Sequence, residues 1–205
     1  MRPSHRLLLT LIVAFSLVSC GTTPPSKYYL LSPTPTAATQ VSDQAENNIR
    51  IGLGPIEFPA YLNRNQIIVM TSANTLRTVE YHRWAEPLES NFARVLMQNL
   101  SASLPGADVG NYPWFDGKKT DVQVLIEILR FDVDSDNQAR LNLRWELVDQ
   151  QKNMLSPPQR REYIKAAEND KYETLVRAMS ECVADFSEDL ATSIKQADTT
   201  TPVQQ

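Results

Sequence analysis

Residues 121–134 constrain the fold more strongly than any other segment, because apolar side chains occur there on both faces of an extended chain. One face carries Val122, Val124, Ile126 and Ile128, and the other carries Leu125 and Leu129. A strand that is apolar on both sides is typical of the centre of a sheet whose two faces are covered. The segment therefore predicts a central strand that is covered twice.

The residues that follow predict an antiparallel partner for this strand. Apolar and polar residues alternate across residues 139–147, as in a half-exposed strand, and Asp136-Asn137 supplies a turn between the two segments. Strand-like composition and turn signals predict further strands at 28–31, 49–55, 66–70, 75–81 and 160–166.

Two other segments have the period of an amphipathic helix. The first begins after Pro87 and ends before Pro105-Gly106, and the second is capped by Asn169 or Asp170. Their apolar residues recur at steps of three and four: Leu88, Phe92, Val95, Leu96, Leu100 and Leu104 in the first, and Tyr172, Leu175, Val176, Met179, Val183, Phe186, Leu190 and Ile194 in the second. Two main helices packed on a mixed sheet of about five or six strands predict an α+β domain.

The N-terminus has the order of an export signal. A short basic start precedes an apolar run of about eleven residues, whereas a helix needs roughly 20 to cross a bilayer. Leu17-Val18-Ser19-Cys20 then resembles the lipobox of bacterial lipoproteins. We expect residues 1–19 to be removed as a signal peptide, and Cys20 to carry an S-diacylglycerol and an N-acyl lipid, with no other cofactor and no metal. The alternatives are an ordinary secreted protein with a chance cysteine and an uncleaved anchor.

The residue after the acylated cysteine bears on which membrane holds the protein. Gly21 is not the aspartate that commonly retains lipoproteins in the inner membrane of enteric bacteria, so similarity to that rule predicts the periplasmic face of the outer membrane. Residues 20–26 are expected to form a lipidated tether, and residues 27–195 one domain with a flexible segment at 32–48. Residues 196–205 are expected to form a disordered tail.

Charge and motif content exclude several classes of function. Removal of the signal takes away Arg2 and Arg6 and leaves 18 basic against 24 acidic residues, a net charge of −6 that does not suit nucleic acid. The sequence has no phosphate-binding loop, nucleophile elbow, metalloprotease motif or paired cysteine motif. We therefore expect no enzymatic activity, although the partners of a triad built on His82 need not be near it in sequence. Cys182 lies in the apolar stripe of the second helix and is interpreted as a small buried hydrophobe, with a reactive or intermolecular thiol as the alternative.

Two polar-aromatic clusters are the candidate partner-binding sites. The first contains Tyr81, His82, Arg83 and Trp84, and the second contains Tyr112 and Trp114. Tyrosine, tryptophan and arginine dominate interface energies, which favours docking surfaces. The alternative is that both clusters are packing elements. In that case Trp84 is packed beneath the junction between a strand and a helix, and Arg83 pairs with Glu86.

Several segments taken together resemble one family. They are the lipobox, Tyr28-Tyr29-Leu30-Leu31, Gly54-Pro55-Ile56, Tyr61-Leu62-Asn63-Arg64, His82-Arg83-Trp84-Ala85-Glu86-Pro87-Leu88, Asn91-Phe92-Ala93-Arg94 and Tyr112-Pro113-Trp114. This combination is similar to the ABC-type transport auxiliary lipoproteins, also called the paraquat-inducible protein C lipoproteins.

The resemblance implies a non-catalytic outer-membrane component of a system that moves lipids between the two membranes and maintains the envelope. It implies an MCE-domain tunnel protein and its inner-membrane partner as binding partners, and a homo-oligomer at the mouth of the tunnel. A structural or assembly lipoprotein with no transport role remains an alternative, and a secreted enzyme is a third. If the assembly uses ATP, this chain is not its motor, since it lacks a nucleotide-binding motif.

Overall fold

A computed structural model describes residues 24–34, 49–113 and 119–200 of the 205-residue chain. The strands and helices in these ranges are β1 (Lys27–Tyr29), β2 (Arg50–Glu57), β3 (Gln66–Ser72), β4 (Thr75–Trp84), α1 (Leu88–Ser103), β5 (Asp108–Asn111), β6 (Val122–Asp134), β7 (Gln138–Val148), β8 (Gln159–Ala166) and α2 (Tyr172–Thr200), with a short 3₁₀ turn at Ala60–Leu62. The strands form one mixed sheet, and both helices pack against it. The α+β class predicted from the sequence is confirmed.

Strand β6 is the centre of the sheet. It pairs antiparallel with β7 along nearly its whole length, while its other edge pairs in parallel with β2 over the first half and with β3 at the last two residues. The strands follow the order β1-β4-β3-β6-β2-β5, and β7 and β8 continue the sheet from the other edge of β6. The predicted turn between β6 and β7 is present, with Asn137 in the left-handed region at a φ of 58°.

The described sheet has eight strands, six of them on that continuous path, where the sequence pattern indicated about five or six in all. Strand β5 has no periodic signal in the sequence, because it contains only four residues and Val109 is its one apolar side chain. It forms where β2 offers a parallel edge, with Ile51 opposite Val109. Short strands of this kind depend on a neighbouring edge and leave little trace in local composition.

The core lies between the helices and one face of the sheet. Phe92 of α1 packs against Phe131 of β6 and Phe186 of α2, with ring centroids 5.7 and 6.4 Å apart. Trp145 of β7 packs against Phe186 at 5.3 Å, and all four rings are almost fully removed from solvent. Both helices therefore cover the same face of β6 and β7.

The opposite face of β6 is not covered by either described helix, so the prediction of a strand covered twice is wrong. Leu125 and Leu129 are only half-buried on that face. Charged side chains surround them, and Glu127 forms an ion pair with Arg144 of β7 across the sheet. Because ionised groups are costly to remove from water, these neighbours keep the face open.

The predicted start of the disordered tail is corrected. Helix α2 continues to Thr200 and does not end before Gln196. Ala197 is buried and extends the apolar row of Leu190 and Ile194 by one turn, which gives the added residues a packed side.

The predicted start of the flexible segment is corrected as well. The Ser32 N–H donates a 3.1 Å hydrogen bond to Ser180 Oγ, and the Leu31 N–H donates to Asn91 Oδ1 at 2.6 Å. Ser32 therefore belongs to the folded domain. Residues 35–48 of the predicted flexible segment and residues 201–205 of the predicted tail lie outside the described residues. Neither described helix is long and apolar enough to cross a membrane.

Candidate docking and anchoring surfaces

The two polar-aromatic clusters lie on different parts of the sheet. Tyr81 to Trp84 form the end of β4, and Tyr112 directly follows β5. In the strand order, β3, β6 and β2 separate these two positions. The structure therefore does not bring the clusters into one site. Trp114 and Cys20, the other residues singled out by the sequence, lie outside the described residues.

The end of β4 is paired with β1, the strand that follows the predicted tether. Tyr28 lies opposite Arg83 and Tyr29 opposite Trp84, in parallel register. Opposed residues of paired strands share a face of the sheet, so Tyr29 and Trp84 lie on the core face while Tyr28 and Arg83 lie on the outer face. Trp84 is only 6% exposed, which confirms that it is a packing residue and removes it from any docking surface.

The predicted pairing of Arg83 with Glu86 is wrong. Arg83 forms its ion pair with Glu80, three residues earlier in β4. Glu86 lies just before α1 and accepts hydrogen bonds from Asn91 Nδ2 at 2.8 Å and Arg94 Nη2 at 2.6 Å. Glu86 is therefore directed to the first turns of the helix. Asn91 in turn accepts the Leu31 N–H, so the same network holds the segment after β1 against α1.

His82 is held between two tyrosines where β1, β4 and α2 meet. Its Nδ1 lies 2.7 Å from the hydroxyl oxygen of Tyr29, and its ring stacks on Tyr172 with centroids 3.9 Å apart. Burial, followed by the nearby Lys27 ammonium, lowers the pKa of His82 below its ordinary value. The Nζ atom of Lys27 also forms an ion pair with Oε1 of Glu173 in α2, at 3.5 Å. These contacts fix β1 to β4 and α2.

The same edge presents exposed apolar groups near the predicted tether. Tyr28 is 65% exposed, Leu30 is 45% exposed and Tyr81 is 38% exposed. Tyr28 and Leu30 alternate with the buried Tyr29 and Leu31, but the sequence Tyr-Tyr-Leu-Leu has no such alternation and so gave no signal for which residues are exposed. Sequence reasoning interpreted the run as a strand and did not select these two residues as a surface.

A second surface lies on the open face of the sheet, around the end of β6. Asp132 is buried there and accepts hydrogen bonds from Arg130 Nε and Nη2, at 2.9 and 2.8 Å, and from the Tyr61 hydroxyl at 3.2 Å. Burial raises the pKa of Asp132, and hydrogen bonds from Arg130 and Tyr61 oppose that effect. Burial and the Asp132 carboxylate raise the pKa of Tyr61 to about 12.

These groups line an open groove of about 580 Å³ that also contacts the turn between β3 and β4. Two of its carboxylates are paired with arginines, Asp134 with Arg140 and Asp132 with Arg130. Within the described ranges, no group of three or more His, Cys, Asp and Glu side chains is arranged to hold a metal ion. Sequence reasoning missed this groove because Asp132 looks like an ordinary polar position of a long strand.

Tyr112 is exposed at the far edge, where β5 lies beside β2. Its N–H donates a 2.8 Å hydrogen bond to the Leu53 carbonyl, so its backbone is fixed although its side chain faces water. Gly54 has a φ of 112°, and a Cβ there would lie 3.1 Å from the Cβ of Tyr112. Glycine is required at position 54 both for this backbone conformation and for the close approach of Tyr112.

Cys182 lies inside the domain. It is fully buried, and its sulfur is 3.6 Å from the carbonyl oxygens of Ala139 and Tyr163. Burial, followed by the nearby Asp185, raises the pKa of the thiol to about 12. The interpretation of Cys182 as a small buried hydrophobe is confirmed.

Comparison with known proteins places this domain in a family. Residues 29–191 match the ABC-type transport auxiliary lipoprotein component family, and the chain belongs to that family.

Its relatives include the intermembrane transport lipoprotein PqiC of Escherichia coli K12, 24% identical over 188 residues that cover 92% of this chain and 97% of the relative. PqiC of Shigella flexneri has the same identity and coverage.

Two solved structures share the fold. An uncharacterized protein has a TM-score of 0.70 at 21% identity, covering 83% of this chain and 99% of its own. A protein from Xanthomonas campestris has a TM-score of 0.65 at 15% identity, covering 85% of this chain and all of its own. At these identities the likeness supports the architecture alone.

Proposed function

We propose that this protein is an outer-membrane-anchored periplasmic lipoprotein, a non-catalytic auxiliary subunit of an MCE-type intermembrane lipid transport system that maintains envelope integrity. The observation that carries the proposal is the family match over residues 29–191, joined to near full-length similarity to a relative named as an intermembrane transport lipoprotein. A similarity that extends over 97% of that relative supports the same mature unit, not a shared fragment.

The proposed anchor is lipid on Cys20. Leu17-Val18-Ser19-Cys20 supports acylation, and Gly21 supports transfer to the outer membrane. Mass spectrometry of the mature N-terminus should find an acylated Cys20, and Cys20→Ala should accumulate as unprocessed precursor in the inner membrane. Gly21→Asp should move the protein from outer-membrane to inner-membrane fractions in an enteric host. An unmodified mature N-terminus contradicts the anchor.

The proposed partners are an MCE-domain tunnel protein, its inner-membrane partner and further copies of this chain. Stable interfaces bury about 1,200 to 2,000 Å² in total, or roughly 800 Å² on each partner. A homo-oligomer would multiply weak contacts, because each further contact of an assembled ring is intramolecular. Tyr81, Arg83 and Tyr112 are described surface candidates for these contacts, and Trp114 stays a candidate from the sequence alone.

Co-purification of the acylated full chain from native membranes, with mass-spectrometric identification of what is bound, tests this function. An MCE-domain protein should be recovered with the wild type, and its recovery should fall for Tyr81→Ala or Tyr112→Ala. Met154→Ala is the matched control, since Met154 is also exposed but lies outside both clusters.

Recovery of no MCE-domain protein from cells that express one would favour the alternative, a structural or assembly lipoprotein of the envelope with no transport role. Lipid or ester hydrolysis by the purified protein would contradict the non-catalytic role. Sedimentation of the purified chain as a monomer at high concentration would remove the homo-oligomer from the proposal.

A further inference from the structure

We infer that the outer side of the β1–β4 edge, formed by Tyr28 and Leu30 and called here the tyrosine edge, rests on the lipid headgroup layer of the membrane that holds the anchor. This inference rests on the proposed acylation of Cys20. It adds a second membrane contact, made by the folded domain itself, to the contact made by the lipid.

Tyr28 lies on the outer side of the sheet, opposite Arg83. Leu30 follows Tyr28 by two residues and is exposed like it, while the intervening Tyr29 is buried. Tyr28 and Leu30 together make a small exposed patch of apolar groups, with one hydroxyl that prefers water. That composition suits the boundary between headgroups and acyl chains.

The length of the tether places this patch close to the membrane. Tyr28 is eight residues after Cys20, and a fully extended chain of that length spans at most about 28 Å. Pro24 and Pro25 favour an extended course for part of it. A domain of this size has a diameter of roughly 40 Å, so the tether is too short to run around it. The start of β1 therefore lies within about 28 Å of the proposed anchor.

The charges around the patch favour an apolar contact over an electrostatic one. Lys27 is paired with Glu173 at 3.5 Å, and Arg83 is paired with Glu80. The chain as a whole is acidic, with a formal net charge of −4 before cleavage, which disfavours attraction to anionic lipid. Contact with zwitterionic and anionic membranes should therefore be alike.

Two exposed apolar residues elsewhere give matched controls. The exposed fraction of Met154 is 66%, similar to that of Tyr28, and the exposed fraction of Ile164 is 44%, similar to that of Leu30. Ile164 belongs to β8, and Met154 lies in the connection from β7 to β8, on the other side of β6 from β1 in the sheet. These positions match the tyrosine edge in exposure but not in distance along the sheet from the tether.

The test attaches an environment-sensitive fluorophore to single cysteines in the acylated full chain, reconstituted into vesicles of phosphatidylethanolamine and phosphatidylglycerol. The reporter variants are Tyr28→Cys and Leu30→Cys, and the controls are Met154→Cys and Ile164→Cys. Cys182 is fully buried, and the parent chain should take up no label. Emission at positions 28 and 30 should shift to the blue, rise severalfold and be quenched by doxyl-labelled lipids. Emission at 154 and 164 should stay that of a label in water, and phosphatidylcholine vesicles should give the same pattern.

Labels at 28 and 30 that stay in water on vesicles carrying the acylated chain overturn this inference and leave the proposed anchor intact. An equal shift at all four positions overturns it too, because contact is then not confined to the tyrosine edge. A blue shift of the label emission that appears without vesicles as the protein concentration rises also overturns it. The tyrosine edge would then contact a second copy of the chain, and not lipid. A mature chain without acyl groups overturns both the anchor and this inference.

Discussion

The Tyr29 hydroxyl and the Nδ1 atom of His82 are hydrogen bonded at 2.7 Å, although the two residues lie 53 positions apart. This bond joins β1, the short strand that follows the predicted tether, to the end of β4. Strand β1 has only three residues, so few backbone bonds hold it. Side-chain contacts at its end therefore carry a large part of the connection between the tether and the domain.

Tyr29→Phe should lower the free energy of unfolding by about 1 kcal/mol, the usual net contribution of one intramolecular hydrogen bond. The ring of Tyr29 stays in the core in this variant, so packing is unchanged. Urea unfolding of the non-acylated chain measures the effect. Tyr28→Phe, one residue away and largely exposed, is the control and should match the wild type. Equal stability of Tyr29→Phe and wild type would show that the bond contributes nothing.

Stability should fall as the pH is lowered through the range in which His82 titrates. The folded-state pKa of His82 lies below its ordinary value of 6.5, so the unfolded chain binds the proton more readily. The stability that depends on a neutral His82 is complete above the pKa that His82 has in the unfolded chain. It is lost as the pH falls through 6.5 toward the pKa of His82 in the folded protein. The charged groups Lys27 and Glu173 and the rings of Tyr29 and Tyr172 surround the imidazole.

Unfolding free energies measured from about pH 7.5 to 5.5 check this, because carboxylates with ordinary pKa values stay ionised over that range. His82→Gln removes the titrating group and should flatten the profile. A variant with the same slope as the wild type would assign the pH dependence to another group.

Trp84→Ala and Tyr81→Ala should separate the first aromatic cluster into a core part and a surface part. Trp84 is buried in the core, and removal of a large aromatic side chain there costs about 3 to 5 kcal/mol. Tyr81 is partly exposed, and its removal should change stability by no more than about 0.5 kcal/mol. Thermal unfolding followed by circular dichroism compares the two variants. A stable Trp84→Ala protein would contradict the packing of Trp84.

Cys182 should not react with thiol reagents in the folded protein. Its sulfur is fully buried, so a reagent cannot reach it. Its pKa is raised to about 12, so the reactive thiolate does not form at neutral pH. Labelling should become fast only in denaturant. Met154→Cys supplies an exposed thiol in the same chain and should label at once. Fast labelling of Cys182 in native buffer would mean that α2 opens locally.

Local sequence pattern determined the central hairpin, both helices and the residues that each of them turns toward the core. The apolar residues of β6 and β7, the steps of three and four in α1 and α2, and the turn at Asp136-Asn137 predict the hairpin and both helices within a few residues of their ends. These signals are local, because side-chain periodicity reflects which face of one strand or helix packs. The order of basic, apolar and cysteine residues at the N-terminus likewise predicts the lipid anchor without any structure.

Tertiary structure alone decided which edges pair and which residues stay exposed. Three residues of β1 could not specify β4 as their partner, and that pairing is what places Trp84 in the core and Tyr28 on the surface. Local pattern also did not predict that Asp132 is buried beside Arg130, or that the second face of β6 is open. Each depends on contacts between segments far apart in the chain, and the sequence around one residue carries no record of what packs against it from a distance.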